Sequence, residues 1–175
     1  STCNEVLLMR HLLGKTTDKT ERAYLINHFL DSFKGTVYRQ TMFAEFEREI
    51  GRMSERGEAL TADALSAKYH ELNKLYFGPD MVSDDGIALE WARIPHFFYN
   101  YYVFQYATGF SSAVAIANHI YETGDASNYL AFLKTGGSDY PLEELKIAGV
   151  DMGSPEPVKL AMETFKDLVE EFEKL

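Results

Sequence analysis

Apolar positions recur at helical spacing along most of this chain. Between Asp18 and Met53, the residues Tyr24, Ile26, Phe29, Leu30, Phe33, Val37, Phe43, Phe46 and Ile50 are mostly three or four apart. That spacing marks one apolar stripe on a helix. At 1.5 Å per residue such a helix spans roughly 50 Å and needs packing partners along its length. Asp18, followed three residues later by Glu21, makes a capping-box-like start.

The same pattern continues on both sides. Asn4 to Leu13 reads as a helix closed by Gly14. Thr61 caps a helix over "TADALSAKYHELNKLYF", with Leu65, Tyr69, Leu72 and Tyr76 on one face and Gly78 and Pro79 as its stop. Asp84 and Asp85 open a short helix through Ile87 and Trp91, which Pro95 interrupts. Tyr129 to Leu133 forms a short helix ended by Gly136 and Gly137, and "YPLEELKIAG" forms another with Pro141 in its first turn. Ser154 and Pro155 start a last helix with Val158, Ala161, Phe165, Leu168, Val169 and Phe172 as its stripe. No segment alternates with period two. The pattern predicts one all-α domain over residues 1–175, built from roughly six to eight helices.

One stretch departs from ordinary core composition. "RIPHFFYNYYVFQYATGF", Arg93 to Phe110, carries eight aromatic rings and one histidine, and no Asp, Glu, Lys or Arg occurs from Ile94 to Tyr121. The uncharged run is long enough to cross a bilayer. Asn100, Gln105, Ser111, Ser112, Asn118 and His119 are scattered through it, however, and basic flanks are missing. A central helix covered by other helices is the better account. Its second half, "SSAVAIANHI", has the composition of one. Its first half has Tyr99, Tyr101, Tyr102 and Tyr106, and a buried phenol must find a hydrogen-bond partner. On a helix His96, Tyr99, Val103, Tyr106 and Phe110 share one stripe. A His and two Tyr facing one way could donate hydrogen bonds to a developing oxyanion. An aromatic core with satisfied hydroxyls is the simpler reading of the residues alone.

Composition narrows the field. Lys and Arg number 17 against 27 Asp and Glu, a net charge of −10. A nucleic-acid surface would need clustered cations instead. Cys3 is the lone cysteine, so no intramolecular disulfide forms, and a reducing, cytoplasmic setting is expected. The stretch "STCNEVLLMRHLLG" lacks a basic leader and a cleavage site, so no signal peptide is expected.

Complete catalytic motifs are missing. "HELNK", His70 to Lys74, begins like the zinc signature H-E-x-x-H, but an ammonium replaces the second imidazole. His11, His28, His96 and His119 do not pair at ligand spacing. "KTGGSD", Lys134 to Asp139, lacks phosphate-loop spacing, and no G-x-S-x-G occurs. The residues present predict no metal ligands and no cofactor site in this chain.

Three long segments, "FKGTVYRQTMFAEFEREI", "ALEWARIPHFFYNYYVFQYATGFSSAVAIA" and "FLKTGGSDYPLEELKIAGVDM", resemble in collinear order the C-terminal region of oligoendopeptidase F. This belongs to the thimet-oligopeptidase-like zinc metallopeptidases. The resemblance implies a portion of one lobe of a two-lobed, zincin-like helical enzyme that hydrolyses oligopeptides. It places Ser1 shortly after the family's third zinc ligand, so Glu5 is not that ligand. The zinc motif and the N-terminal region would lie outside this chain, leaving it inactive alone. The family sets a His and two Tyr seven residues apart across the channel from zinc. Carried over, these are His96, Tyr99 and Tyr106, as contacts to substrate and transition state, with Tyr101 as the alternative to Tyr99.

Two functions follow as expectations. One is the substrate-channel part of a cytoplasmic zinc metalloendopeptidase. The other is a non-catalytic helical module that binds peptides or a partner protein through its aromatic face. Nucleic acid and membrane are excluded as partners. Self-association of the chain is expected if faces normally covered by the rest of the enzyme are exposed.

Overall fold

The computed structural model describes residues 1–175. It contains eight α-helices: α1 (Thr2–Lys15), α2 (Lys19–Phe33), α3 (Arg39–Glu55), α4 (Ala62–Phe77), α5 (Phe104–Thr123), α6 (Ser127–Thr135), α7 (Pro141–Ile147) and α8 (Glu156–Phe172). Two 3₁₀ segments, Asp85–Arg93 and Pro95–Phe98, precede α5, and a π turn, Lys34–Tyr38, joins α2 to α3. The fold is all-α, as the periodicity predicts.

Local chemistry explains most boundaries. Asp18 accepts from the Glu21 N–H at 2.8 Å, Thr61 from the Ala64 N–H at 3.2 Å, and Asp84 from the Ile87 N–H at 3.0 Å. Each satisfies one of the free donors at a helix start. Gly136 ends α6 in the left-handed region, where glycine carries no Cβ penalty.

Three expectations need correction. Gly14 does not close α1, which runs one residue further to Lys15; the helix interior tolerates a glycine at modest cost. The long helix widens at its middle into the π turn, a change of winding that spacing alone does not reveal. The third correction matters most. The stretch from His96 to Tyr121 is not one helix, because residues 99–103 leave helical geometry and α5 begins only at Phe104.

The chain divides into two compact units. In the unit Gly35–Ala107, α3 packs on α4, and α4 packs on the 3₁₀ segment Asp85–Arg93. Met42, Phe43, Phe46, Tyr69, Leu72, Ile94 and Val103 form its core. Phe97 sets its ring edge-on against Phe43 and Phe46, at 5.2 and 5.1 Å. Ile94 and Val103 are thus anchors on either side of the tyrosine-rich loop. Burying such a side chain contributes about 1.5–3 kcal/mol relative to leaving it exposed. Glu90, also buried, accepts from the Tyr69 hydroxyl at 2.6 Å and from Arg39 and Arg93. This hub ties the 3₁₀ segment to both neighbouring helices.

The other unit comprises Ser1–Lys34 and Thr108–Leu175. Phe33 is its centre, with the rings of Phe29, Phe110 and Phe165 at 5.2, 4.9 and 5.5 Å. Every residue of α5 from Phe110 to Ala117 is buried, matching the composition of that half. On α8, Ala161 and Leu168 are buried while Val158 and Phe172 sit at the exposed edge. Cys3 is buried, and burial pushes its thiol pKa up, away from nucleophilic character. No helix is long and apolar enough to cross a membrane.

Candidate functional site

The loop between the two core anchors begins at Pro95. Its ring fixes φ and removes a donor, which suits the first position of the 3₁₀ turn Pro95–Phe98. The Tyr99 N–H closes that turn on the His96 carbonyl at 3.1 Å. The next two residues then enter the left-handed region, Asn100 with φ 51° and Tyr101 with φ 62°. Asn tolerates this conformation; a bulky residue such as Tyr does not. For Tyr101 the left-handed conformation costs roughly 1–2 kcal/mol.

Glu47 of α3 offsets part of that strain. Its Oε1 accepts from the Tyr101 N–H at 2.6 Å, and the side chain is only 5% exposed. Burial raises the Glu47 pKa, and the Tyr101 N–H acts in the opposite direction by favouring the carboxylate. The Tyr101 ring lies over α3, where a Cβ on Gly51 would come within 2.3 Å of the Tyr101 hydroxyl.

The reversal brings His96 and three tyrosines together. Tyr106 Oη lies 3.1 Å from His96 Nε2. The Tyr102 ring stacks on His96, with centroids 5.5 Å apart and planes 11° apart. Tyr99 and Tyr106 meet the His96 ring edge-on at 5.9 and 5.4 Å. Tyr102 also makes edge contacts with Tyr99 at 6.1 Å and with Tyr106 at 5.7 Å. The rings are open to solvent, from 58% exposed at Tyr99 to 37% at Tyr106. They are therefore not the buried aromatic core that the simpler reading of the sequence favoured. Hydrogen bonding with the Tyr102 hydroxyl, more than desolvation, pushes the Tyr106 pKa up, so Tyr106 keeps its proton at neutral pH.

His96, Tyr99 and Tyr106 are brought together, but not along a helical stripe. Val103 and Phe110, assigned to that stripe, are buried. Tyr101 makes no ring contact with His96 and turns to Glu47 and Gly51 instead. Sequence reasoning missed Tyr102 and Glu47. A signal existed for Glu47: it sits four residues after Phe43, on the apolar face of α3, where a carboxylate is out of place. Asn100 was the cue for the loop, being the one residue there suited to the left-handed region.

The other candidates have ordinary surroundings. His70 Nε2 lies 3.2 Å from the Ser83 carbonyl oxygen, and Glu71 pairs with Lys68. Glu5 is exposed and accepts from the Ser1 hydroxyl at 2.5 Å. No three His, Cys, Asp or Glu side chains gather where they could hold a metal ion.

A model of peptidase family M3 matches residues 1–164. The whole chain is 51% identical to oligopeptidase PepF of Bacillus subtilis and covers 26% of it. It is 48% identical to the chromosomal oligoendopeptidase F of Lactococcus lactis and covers 29% of that protein. The crystal structure of oligoendopeptidase-F from Enterococcus faecium superposes with a TM-score of 0.95 at 50% identity, over 99% of this chain and 34% of that one. The chain thus spans between about a quarter and a third of the length of these three relatives.

Proposed function

Because this chain belongs to peptidase family M3, we propose that its 175 residues form the helical C-terminal domain of a longer, cytoplasmic zinc metalloendopeptidase that cleaves oligopeptides. In this reading His96, Tyr99, Tyr102 and Tyr106 face the substrate channel. The observation that carries it is the 3.1 Å pairing of His96 Nε2 with Tyr106 Oη inside a cluster of solvent-facing rings.

With Tyr102 included, the cluster keeps one donor in either proton arrangement. If Tyr106 donates to Nε2, His96 keeps its Nδ1–H free. If Nε2–H donates to Tyr106, the phenolic proton turns to the Tyr102 hydroxyl, whose own proton remains to donate. A peptide carbonyl oxygen gains negative charge as its carbon is attacked, and a donor held near that position lowers the barrier. Tyr99 and Tyr102 present further hydroxyls and flat ring faces, which suit an extended peptide backbone and its side chains. None of these groups supplies a nucleophile at neutral pH.

Zinc in the longer enzyme would act as a Lewis acid when bound. The residues of this chain do not fit it, because the neighbours of His96 are neutral phenols and no ligand cluster exists elsewhere. The metal and the catalytic base are assigned to residues outside this chain, and the chain alone is inactive. Metal content and peptide turnover, measured on the chain and on the full-length product, test the proposal. Zinc at one equivalent with turnover in the full-length protein alone is the expected result. Turnover by the chain itself overturns it.

A further inference from the structure

We infer that Glu47 is a positioning residue for the His96–tyrosine cluster, acting through the backbone of Tyr101. The inference rests on the reading that this cluster meets the substrate.

His96 and Tyr106 are ten residues apart. In a straight helix that offset is a rise of about 15 Å. They touch only because the chain folds back through Asn100 and Tyr101, both at positive φ. A tyrosine has no intrinsic preference for that conformation, so something outside the loop must hold it. Glu47 is placed to do so. It stands on α3 between Phe46 and Gly51, and Phe43 and Phe46 lock that helix into the core. Its buried carboxylate accepts the Tyr101 N–H at 2.6 Å. Gly51, four residues on and so on the same face of α3, leaves room for the Tyr101 ring. One helix face therefore receives both the backbone and the side chain of Tyr101. This seat explains why Tyr101 stands outside the cluster: its task is to dock the loop, which aims Tyr99, Tyr102 and Tyr106 at His96.

The test uses the full-length peptidase with Glu47→Ala, Glu47→Gln and Tyr106→Phe. Amide hydrogen exchange over residues 99–103 reads the loop, and kcat and KM with a short peptide read the site. Glu47→Ala should speed exchange there roughly tenfold or more. It should lower kcat roughly ten- to hundredfold while KM moves less than about threefold. Glu47→Gln keeps an acceptor oxygen and should restore both readouts. Unchanged exchange in Glu47→Ala overturns the inference. So does an unchanged kcat alongside a reduced one in Tyr106→Phe, which leaves the functional reading intact. If neither variant lowers kcat, the functional reading fails and the inference with it. Should Glu47→Ala not fold, Gly51→Ala carries the test by displacing the Tyr101 ring: faster exchange with lower kcat supports the seat, and no change in either overturns it.

Discussion

His96 Nε2 and Tyr106 Oη lie 3.1 Å apart across a loop that reverses at two left-handed residues. The contact exists because the stretch Arg93 to Phe110 is not a continuous helix. Ile94 and Val103, both in the core, bring the ends of the loop together; Phe97 packs inward beside them, and the tyrosines between them are left exposed.

That geometry ranks the tyrosines. In the full-length peptidase, Tyr106→Phe should lower kcat roughly tenfold to a thousandfold, the scale of a lost oxyanion donor. Tyr99→Phe should also lower it, whereas Tyr101→Phe should leave kcat within about threefold, because its hydroxyl lies over Gly51 and not beside His96. Steady-state kinetics on the three variants check this. A larger loss at Tyr101 than at Tyr99 would exchange their roles.

Glu90 should prove critical to stability. Replacing it with Leu leaves the Tyr69 hydroxyl and the Arg39 guanidinium facing a site without its acceptor. Arg39 and Arg93 can still reach solvent, so the loss comes mainly from the orphaned, buried Tyr69 hydroxyl and the lost charge-assisted bonds, about 3 kcal/mol in all. Tyr69→Phe removes one donor and leaves Glu90 its two arginines, so a loss of about 1–2 kcal/mol is expected. Denaturant unfolding of both variants measures the difference, and equal losses would deny the hub its role.

A pH dependence follows from Glu47. Its carboxyl is held above the ordinary glutamate range, chiefly by burial. A group whose folded pKa is raised binds its proton more tightly in the folded state. Its contribution is therefore full below the unfolded pKa, about 4.3, and is lost as pH rises through the folded value. Relative to Glu47→Gln, which does not titrate, the wild type should lose ground as pH climbs from about 4 towards neutrality. Thermal midpoints of the two proteins across that range provide the check. A gap that stays constant, or that moves in favour of the wild type, would contradict the assigned shift.

The isolated 175-residue chain should self-associate. Phe98 and Tyr99 are 72% and 58% exposed, and Leu8 and Tyr24 on α1 and α2 are 57% and 70% exposed. Exposed apolar surface of this kind drives association in the absence of its usual cover. Sedimentation velocity should show species above monomer that grow with concentration. A monomer at every concentration would mean that these rings are tolerated by solvent.

Helix identity and most helix ends were legible in the linear pattern, because caps and apolar periodicity are local. Asp18, Thr61 and Asp84 each bond an N–H three residues away, and such contacts can be read from spacing alone. The lack of charge from Ile94 to Tyr121 was legible too, but its cause was split. Phe110 to Ala117 is buried, while the tyrosines before it are exposed. Local spacing also named His96, Tyr99 and Tyr106, though for a helical stripe that does not exist. Which tyrosines meet His96 was decided only by tertiary structure. The deciding interactions are long-range: Val103 and Ile94 entering the core, Phe97 packing on Phe43 and Phe46, and the Tyr101 N–H reaching Glu47, 54 residues away in sequence. A periodicity reports one element at a time, and a strained reversal such as Asn100–Tyr101 persists only when distant parts of the fold hold it in place.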